Sequence, residues 1–314
     1  MDVEVRLPGA GNEAFLADVV AGLSAERKFI QPRWLYDAVG AKLFEAITNL
    51  DHYYPTRTET ALLEGAADEI ADALGDGVTI VEPGSGEALK VRPLLAALDH
   101  RARGYIPIDI ASDQLAAVAA EMGALYPHIA VHPVAADFFR PFEMPHAENA
   151  VVFFPGSTIG NMSEAGGQDL LATLREASGA DRFLVGFDLV KDRRVLVEAY
   201  DDPAGVTAAF EKNVLQRINR ELGGDFDLTR FAYEARFDET TSAVEMELVS
   251  LAAQTVTVAG RRFAFAEGER LHTETSRKYT VDGFAAFAEG AGLRADRTWT
   301  DGRQWFAVML LHAA

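Results

Sequence analysis

From residue 78 onward, short apolar runs alternate with stretches whose apolar residues recur at helical spacing. VTIVEPG (78–84) leads into a helical pattern over 86–99, and GYIPIDI (104–110) into one over 112–125. IAVHPVAADF (129–138) is followed by AVVFFPGSTIGN (150–161), a helix near 164–178 and RFLVGFDLV (182–190). Such alternation predicts βα units on a parallel sheet. VVFF and FLVGF are apolar throughout, as strands covered on both faces must be. Upstream, residues 14–26 and 58–74 read as helices, the second with Leu62, Leu63, Ala66, Ile70 and Leu74 on one stripe. The aromatic, proline-punctuated stretch from Trp34 to Arg57 reads instead as a surface that touches something.

Downstream the period changes. A polar-rich helix over 204–222 precedes strand-like alternation through FAYEARFDETTSAVEMELVSLAAQTVTV (231–258) and RLHTETSRKYT (270–280), a helix near 281–291 and the strand WFAVMLLH (305–312). Strands that follow one another through turns predict an antiparallel α+β module. The expected division is a doubly wound domain over 58–192, with residues 1–57 and 193–314 forming the second module.

Composition narrows the function classes. The 314 residues are 49% hydrophobic and 25% charged, an ordinary globular balance. With 29 basic against 48 acidic side chains the net charge is −19, which opposes binding to nucleic acid or to an anionic membrane surface. The absence of cysteine removes disulfides, thiolate metal sites and cysteine nucleophiles, and fits a reducing cytoplasm. No signal peptide and no run of about 18 apolar residues is found, so a soluble, cytoplasmic monomer is expected.

The first strand ends in Glu82-Pro83-Gly84-Ser85-Gly86, two glycines where the backbone turns tightly beside a ligand. The third glycine of the dinucleotide fingerprint is missing, which disfavours a pyrophosphate clamp. S-adenosylmethionine (SAM) carries no phosphate, and its amino-acid end suits a glycine turn beside an acidic strand end. A plain strand-to-helix turn would use the same glycines. Asp109 closes the second strand, where an acid can accept the ribose hydroxyls. Asp137-Phe138 closes the third run, a carboxylate for an adenine amino group beside a ring to stack on the base. Each Asp could equally cap a helix. Gly156-Ser-Thr-Ile-Gly-Asn161 follows the fourth strand at the ligand-binding edge of such sheets, and Asn161 can both donate and accept.

Together with Tyr36-Asp-Ala-Val-Gly, Tyr53-Tyr-Pro-Thr-Arg-Thr-Glu59, Asp188-Leu-Val-Lys191-Asp, Ala199-Tyr200-Asp-Asp and Glu274-x-Ser276-x-Lys278, these motifs resemble the SAM-dependent L-histidine Nα-methyltransferases of ergothioneine biosynthesis. The resemblance spans residue 14 to the C-terminus. It implies a Rossmann-like class I methyltransferase domain with an α+β substrate-binding domain. It further implies that Gly84, Gly86, Lys90, Asp109, Asp137 and Phe138 hold SAM, with Tyr36 where cofactor and substrate join. Asn161 and Tyr200 would hold the α-amino-acid end, Tyr53 would line the pocket, and Glu274 and Ser276 would read the imidazole. Tyr36 and Asn161 are the implied catalytic residues. Residues two apart on a strand share a face, so the Glu274 carboxylate and the Ser276 hydroxyl can grip two ring nitrogens together. Pro83 and Phe154-Pro155 depart from the family pattern and read as rigidifying changes in turns. A methyltransferase acting on another amino acid or amine, and a non-catalytic SAM- or histidine-binding protein, are the competing classes.

Other residues invite chemistry less. His128 and His132 are four apart, but Pro127 and Pro133 oppose a helix there, and no metal is expected. Ser24 and Ser163 read as helix caps rather than nucleophiles.

Overall fold

The computed structural model of the chain describes residues 12–314. In chain order its helices are α1 (Asn12–Ser24), α2 (Ala38–Thr48), α3 (Tyr54–Leu74), α4 (Arg92–Leu98), α5 (Ser112–Leu125), α6 (Glu164–Ser178), α7 (Arg193–Tyr200), α8 (Val206–Leu222) and α9 (Val281–Gly290). The strands are β1 (Val78–Pro83), β2 (Ala102–Asp109), β3 (Ala130–Val131), β4 (Val134–Ala135), β5 (Ala150–Phe154), β6 (Arg182–Asp188), β7 (Phe231–Asp238), β8 (Ala243–Ser250), β9 (Gln254–Val258), β10 (Arg261–Phe265), β11 (Arg270–Arg277), β12 (Leu293–Thr300) and β13 (Phe306–Ala313). They form two compact units, residues 55–190 with 278–314, and residues 12–54 with 191–277. Among the described residues no helix is long and apolar enough to cross a membrane.

The first unit is a sheet of order β12–β13–β6–β5–β1–β2–β3, with β4 also paired to β2. β1, β2, β3, β4, β5 and β6 run parallel, whereas β13 pairs antiparallel with both β6 and β12. Alternate side chains enter two cores. Ile80, Phe153, Leu184 and Val308 pack with Leu63, Ile70, Leu94 and Leu98 of α3 and α4. Their neighbours Val81, Val152, Val185 and Met309 pack with Leu170, Leu174, Phe284 and Phe287 of α6 and α9. Burial on both faces is why these strands read as unbroken apolar runs. The strand order reverses between β1 and β5, the switch point beside which open α/β sheets bind ligands.

This topology corrects one expectation. Residues 278–314 belong to the parallel-sheet unit rather than to the antiparallel module. β13 is buried from Phe306 to Leu311, and such a strand needs helix cover on both faces, which the large sheet supplies. Local boundaries also shift. The pattern over 86–99 gives a helix only from Arg92, because the preceding turn runs through positive φ at Gly84, Gly86 and Ala88. The run 129–138 splits into two short strands about Pro133, which has no N–H for a ladder. Ser163 caps α6, its Oγ accepting from Gly166 N at 3.1 Å, while Ser24 is the last residue of α1 rather than a cap.

The second unit has the sheet β11–β8–β7 and the hairpin β9–β10, all antiparallel. Helix α8 buries Phe210, Val214, Leu215 and Ile218. Helix α2, within the stretch expected to be a surface, starts at Asp37, whose Oδ1 accepts from Gly40 N (2.8 Å) and from Asn213 Nδ2 of α8 (2.7 Å). Arg220 Nη2 also donates to Asp37 Oδ2 at 2.6 Å. Burial works against ionisation of Asp37, but these donors hold its carboxyl below the usual range. The Tyr36-Asp-Ala-Val-Gly motif is therefore partly a capping and helix-docking device.

Candidate active site

In the first unit, the turn after β1 carries the cofactor candidates. Gly84 has φ +69°, and a Cβ there would stand 3.4 Å from the Phe138 ring. The glycine thus lets an aromatic face lie against the turn. Gly84 N donates to Ile108 O at 2.8 Å, and Gly86 N to Asp109 Oδ2 at 3.1 Å. Asp109 Oδ1 accepts from Ala111 N at 3.0 Å, so one carboxylate braces both its own loop and the glycine turn. Asp137 accepts from Phe139 N at 3.2 Å and lies 3.4 Å from Arg140 Nε. Ser85 Oγ is buried without a hydrogen-bond partner. Buried hydroxyls are normally paired, so this one is open to a polar ligand at the turn. An orphaned donor, a carboxylate at the tip of β2 and an aromatic ring over a glycine fit the amino-acid, ribose and adenine parts of SAM.

Glu82 at the end of β1 is buried and accepts from the Tyr105 hydroxyl at 2.5 Å. Burial pushes its carboxyl up to about 8, against the lowering by Tyr105 and Lys90. It is an internal member of the strand end rather than a surface acid.

Lys90 is tied into a network the sequence did not reveal. Its Nζ donates to Glu59 Oε2 at 2.6 Å, and Gly156 N donates to both Glu59 oxygens at 2.7 and 2.9 Å. Glu59 is fully buried, and it fits only because Gly186 has no side chain, since a Cβ there would lie 2.2 Å from Glu59 Oε1. One carboxylate from α3 therefore fixes the lysine near β1 and the turn after β5 together. Beyond that turn Ser157 adopts φ +56°, its Oγ accepting from Asp188 N at 3.0 Å, and Asn161 ends the short 3-10 turn Thr158–Asn161.

The second unit gathers the substrate candidates. In β11 the register with β8 shifts between His272 and Glu274, a bulge at Thr273 that puts Glu274 and Ser276 among the buried positions of the strand. Bulges beside sites re-aim side chains in this way. Ser276 Oγ and the Tyr200 hydroxyl are 2.8 Å apart, and the Tyr233 hydroxyl donates to Tyr200 O at 2.6 Å. The Tyr53 and Tyr200 rings meet edge-on at 5.7 Å. The Tyr36 ring lies between Phe44 (5.4 Å) and Phe210 (5.2 Å), and its hydroxyl reaches Glu274 Oε1 at 3.5 Å. Although 41% of Tyr36 is exposed, its hydroxyl end is enclosed, and burial, with the nearby Glu274, pushes its pKa well above that of a free phenol. Tyr36, Tyr53, Tyr200, Glu274 and Ser276 thus converge in the second unit, while Asn161 and the six cofactor candidates of the glycine turn and its neighbours belong to the first.

Sequence reasoning assigned no role to Glu59, the last residue of the Tyr53–Glu59 motif, or to Glu211 of α8, both fully buried. The available signal for Glu211 was an acid on a helix's apolar stripe. The histidine pair singled out by spacing does not converge. His128 lies instead with Asp99 and His100, exposed and with ligand atoms within 4.8 Å of one another, before the start of β2 and β3 and so at the sheet edge opposite Asp109.

A parallel sheet reversing at β1, an inserted antiparallel β13 and a braced glycine turn with an acid at the next strand tip define a Rossmann-like, SAM-dependent methyltransferase. The chain belongs to the SAM-dependent, histidine-specific methyltransferases, whose family profile matches residues 15–313. It is 43% identical over 304 residues to the histidine N-alpha-methyltransferase of Mycolicibacterium smegmatis, covering 95% of this chain and 94% of the other. To the Mycobacterium tuberculosis protein of the same description it is 39% identical over 307 residues, 96% and 95% of the two chains. The ergothioneine biosynthesis protein 1 of Neurospora crassa is 28% identical over 286 residues, 86% of this chain and 32% of that longer one.

Proposed function

We propose that the protein methylates the α-amine of L-histidine three times in succession, giving trimethylhistidine (hercynine) for ergothioneine biosynthesis. The observation that carries the reading is the cluster of Glu274 and Ser276 with Tyr36 and Tyr200, an acceptor and a hydroxyl on one strand walled by phenols. SAM supplies a methyl group already activated on a sulfonium, so the residues here have to align and desolvate rather than form covalent intermediates. Gly84, Gly86, Asp109, Asp137, Phe138 and Lys90 hold the donor. Glu274 accepts an imidazole N–H, Ser276 serves the other ring nitrogen, and Asn161 and Tyr200 take the amino-acid end, with Tyr53 as a wall.

Tyr36 stays a neutral phenol at physiological pH, because burial and Glu274 oppose its ionisation. It therefore orients Glu274 as a donor, and the proton shed by the amine leaves to water. The tyrosine faces suit the growing cation as methyls accumulate. A cytoplasmic monomer without nucleic-acid or membrane partners completes the reading, supported by the −19 charge and the absence of cysteine. Sedimentation of the pure protein checks the monomer.

Mass spectrometry of L-histidine incubated with SAM and the pure protein tests the reaction. Three successive methyl increments are expected, and a gain on another amino acid but none on histidine would refute it. Glu274→Ala should raise the KM for histidine at least about tenfold while the SAM Kd stays within about twofold, since removing an acceptor for a charged or polar partner costs about 1.5–3 kcal/mol. Equal losses for both ligands would show that Glu274 does not read the ring.

A further inference from the structure

Glu59 stands three and four residues before Leu62 and Leu63, on the buried stripe of α3 that Ala66 and Ile70 continue. An acid there does little for stability, because desolvating a buried ion pair offsets most of its attraction and apolar side chains of similar volume serve as well. Yet the carboxylate is fully enclosed and fully used. Its Oε2 accepts from Lys90 Nζ at 2.6 Å, and both oxygens accept from Gly156 N at 2.7 and 2.9 Å.

Lys90 is the open side of this pair. Its side chain is 24% exposed, while that of Glu59 is not exposed at all. Among the described residues Glu59 is its one hydrogen-bond partner, and an ammonium has three N–H groups, so two are left over. Gly156, at φ +86°, comes close enough that a Cβ there would stand 3.2 Å from Lys90 Nζ. The ammonium is thereby held against the turn that follows β5, while its own backbone belongs to the turn that follows β1. These two strands are neighbours at the switch point of the sheet. A cation fixed there, with N–H groups to spare, suits a small carboxylate.

We propose that Glu59 is a positioning residue for the methyl donor: it anchors the Lys90 ammonium so that its unused N–H groups receive the carboxylate of SAM's amino-acid end. The inference rests on the assignment of Lys90 to the donor. A lysine side chain has four rotatable bonds, and an unanchored one loses that freedom when it grips a ligand. Anchoring it beforehand removes the loss, which is worth about tenfold in affinity. Glu59 is enclosed and acts on the donor through Lys90.

Calorimetry on the full chain with two probes tests this: S-adenosylhomocysteine, which keeps the amino-acid end, and methylthioadenosine, which lacks it. Glu59→Asp keeps the charge but draws the carboxylate back by one methylene, out of reach of Lys90. The Kd for S-adenosylhomocysteine should rise about tenfold, with that for methylthioadenosine within about twofold. A merely structural role would weaken both alike. Should the aspartate variant not fold, Glu59→Gln carries the same expectation, because its single amide oxygen cannot hold both Lys90 and Gly156 N. An unchanged or tighter S-adenosylhomocysteine Kd, or equal losses for both probes, would overturn the proposal. Lys90→Met separates this inference from the reading beneath it; if that variant does not fold, Lys90→Met with Glu59→Gln, which buries no charge, takes its place. If removing Lys90 abolishes the preference for S-adenosylhomocysteine and Glu59→Asp leaves it intact, this inference alone falls. If removing Lys90 leaves the preference intact, the assignment of Lys90 to the donor falls and this inference with it.

Discussion

Glu82 shows how one residue can look like a ligand and act as an internal group. The sequence placed an acid at a strand end before a glycine turn, and the structure buries it under the Tyr105 hydroxyl. Its carboxyl titrates near 8 when folded against an ordinary value of 4.5, so the folded state holds a proton that the unfolded chain has released between those values. Stability must therefore fall as the pH rises through that window, by up to roughly 1.4 kcal/mol per pH unit, and be insensitive to this group below it. Glu82→Gln keeps the acceptor for Tyr105 and cannot ionise. Its melting temperature should match that of the unaltered protein near the lower value and exceed it increasingly toward the upper one. A constant gap across a pH series would show that Glu82 does not titrate there.

At the level of elements, loops were read by composition and decided by backbone angle. The glycine turn was legible because only a few residue types tolerate its geometry. What the sequence could not show is that the Phe138 ring, 54 residues on, closes over Gly84. Gly84→Ala forces a side chain into the left-handed region, at about 1–2 kcal/mol, and presses its Cβ toward that ring. The SAM Kd should rise about tenfold by calorimetry, with the histidine Kd little changed; an unaltered SAM Kd would mean the turn does not contact the donor. Helices α5 and α6 appear with the limits their patterns predicted, since each has one clear apolar stripe. Helices α2 and α7 escaped because they are short and flanked by aromatic and charged residues, so that capping by Asp37 and Asp192 defines them more than periodicity does. The third strand broke in two at Pro133, both halves pairing with β2, because proline has no N–H for the ladder.

For the molecule as a whole, the chain returns to its first unit at residue 278, and a buried ion pair marks the return. Lys278 Nζ lies 2.7 Å from Asp188 Oδ2, with neither side chain exposed. Lys278→Met removes one half of this buried pair, costing about 3–5 kcal/mol, whereas replacing Asp188 by Leu as well should recover most of the loss. Chemical denaturation of the single and double variants measures this, and a single variant within about 1 kcal/mol of the unaltered protein would rule out the pair as a structural tie.

Sequence alone determined the βα alternation and the glycine turn with its acids at strand tips, because each is set by periodicity or backbone geometry within a few residues, whereas the Glu274-x-Ser276 pair was legible through the family resemblance. Tertiary structure decided that residues 278–314 complete the large sheet, that Glu59 holds Lys90 and Gly156 together, and that the Glu211 carboxyl is fully enclosed. Strand partners and the burial of a carboxyl depend on segments many tens of residues apart, and no local pattern encodes which of them will meet.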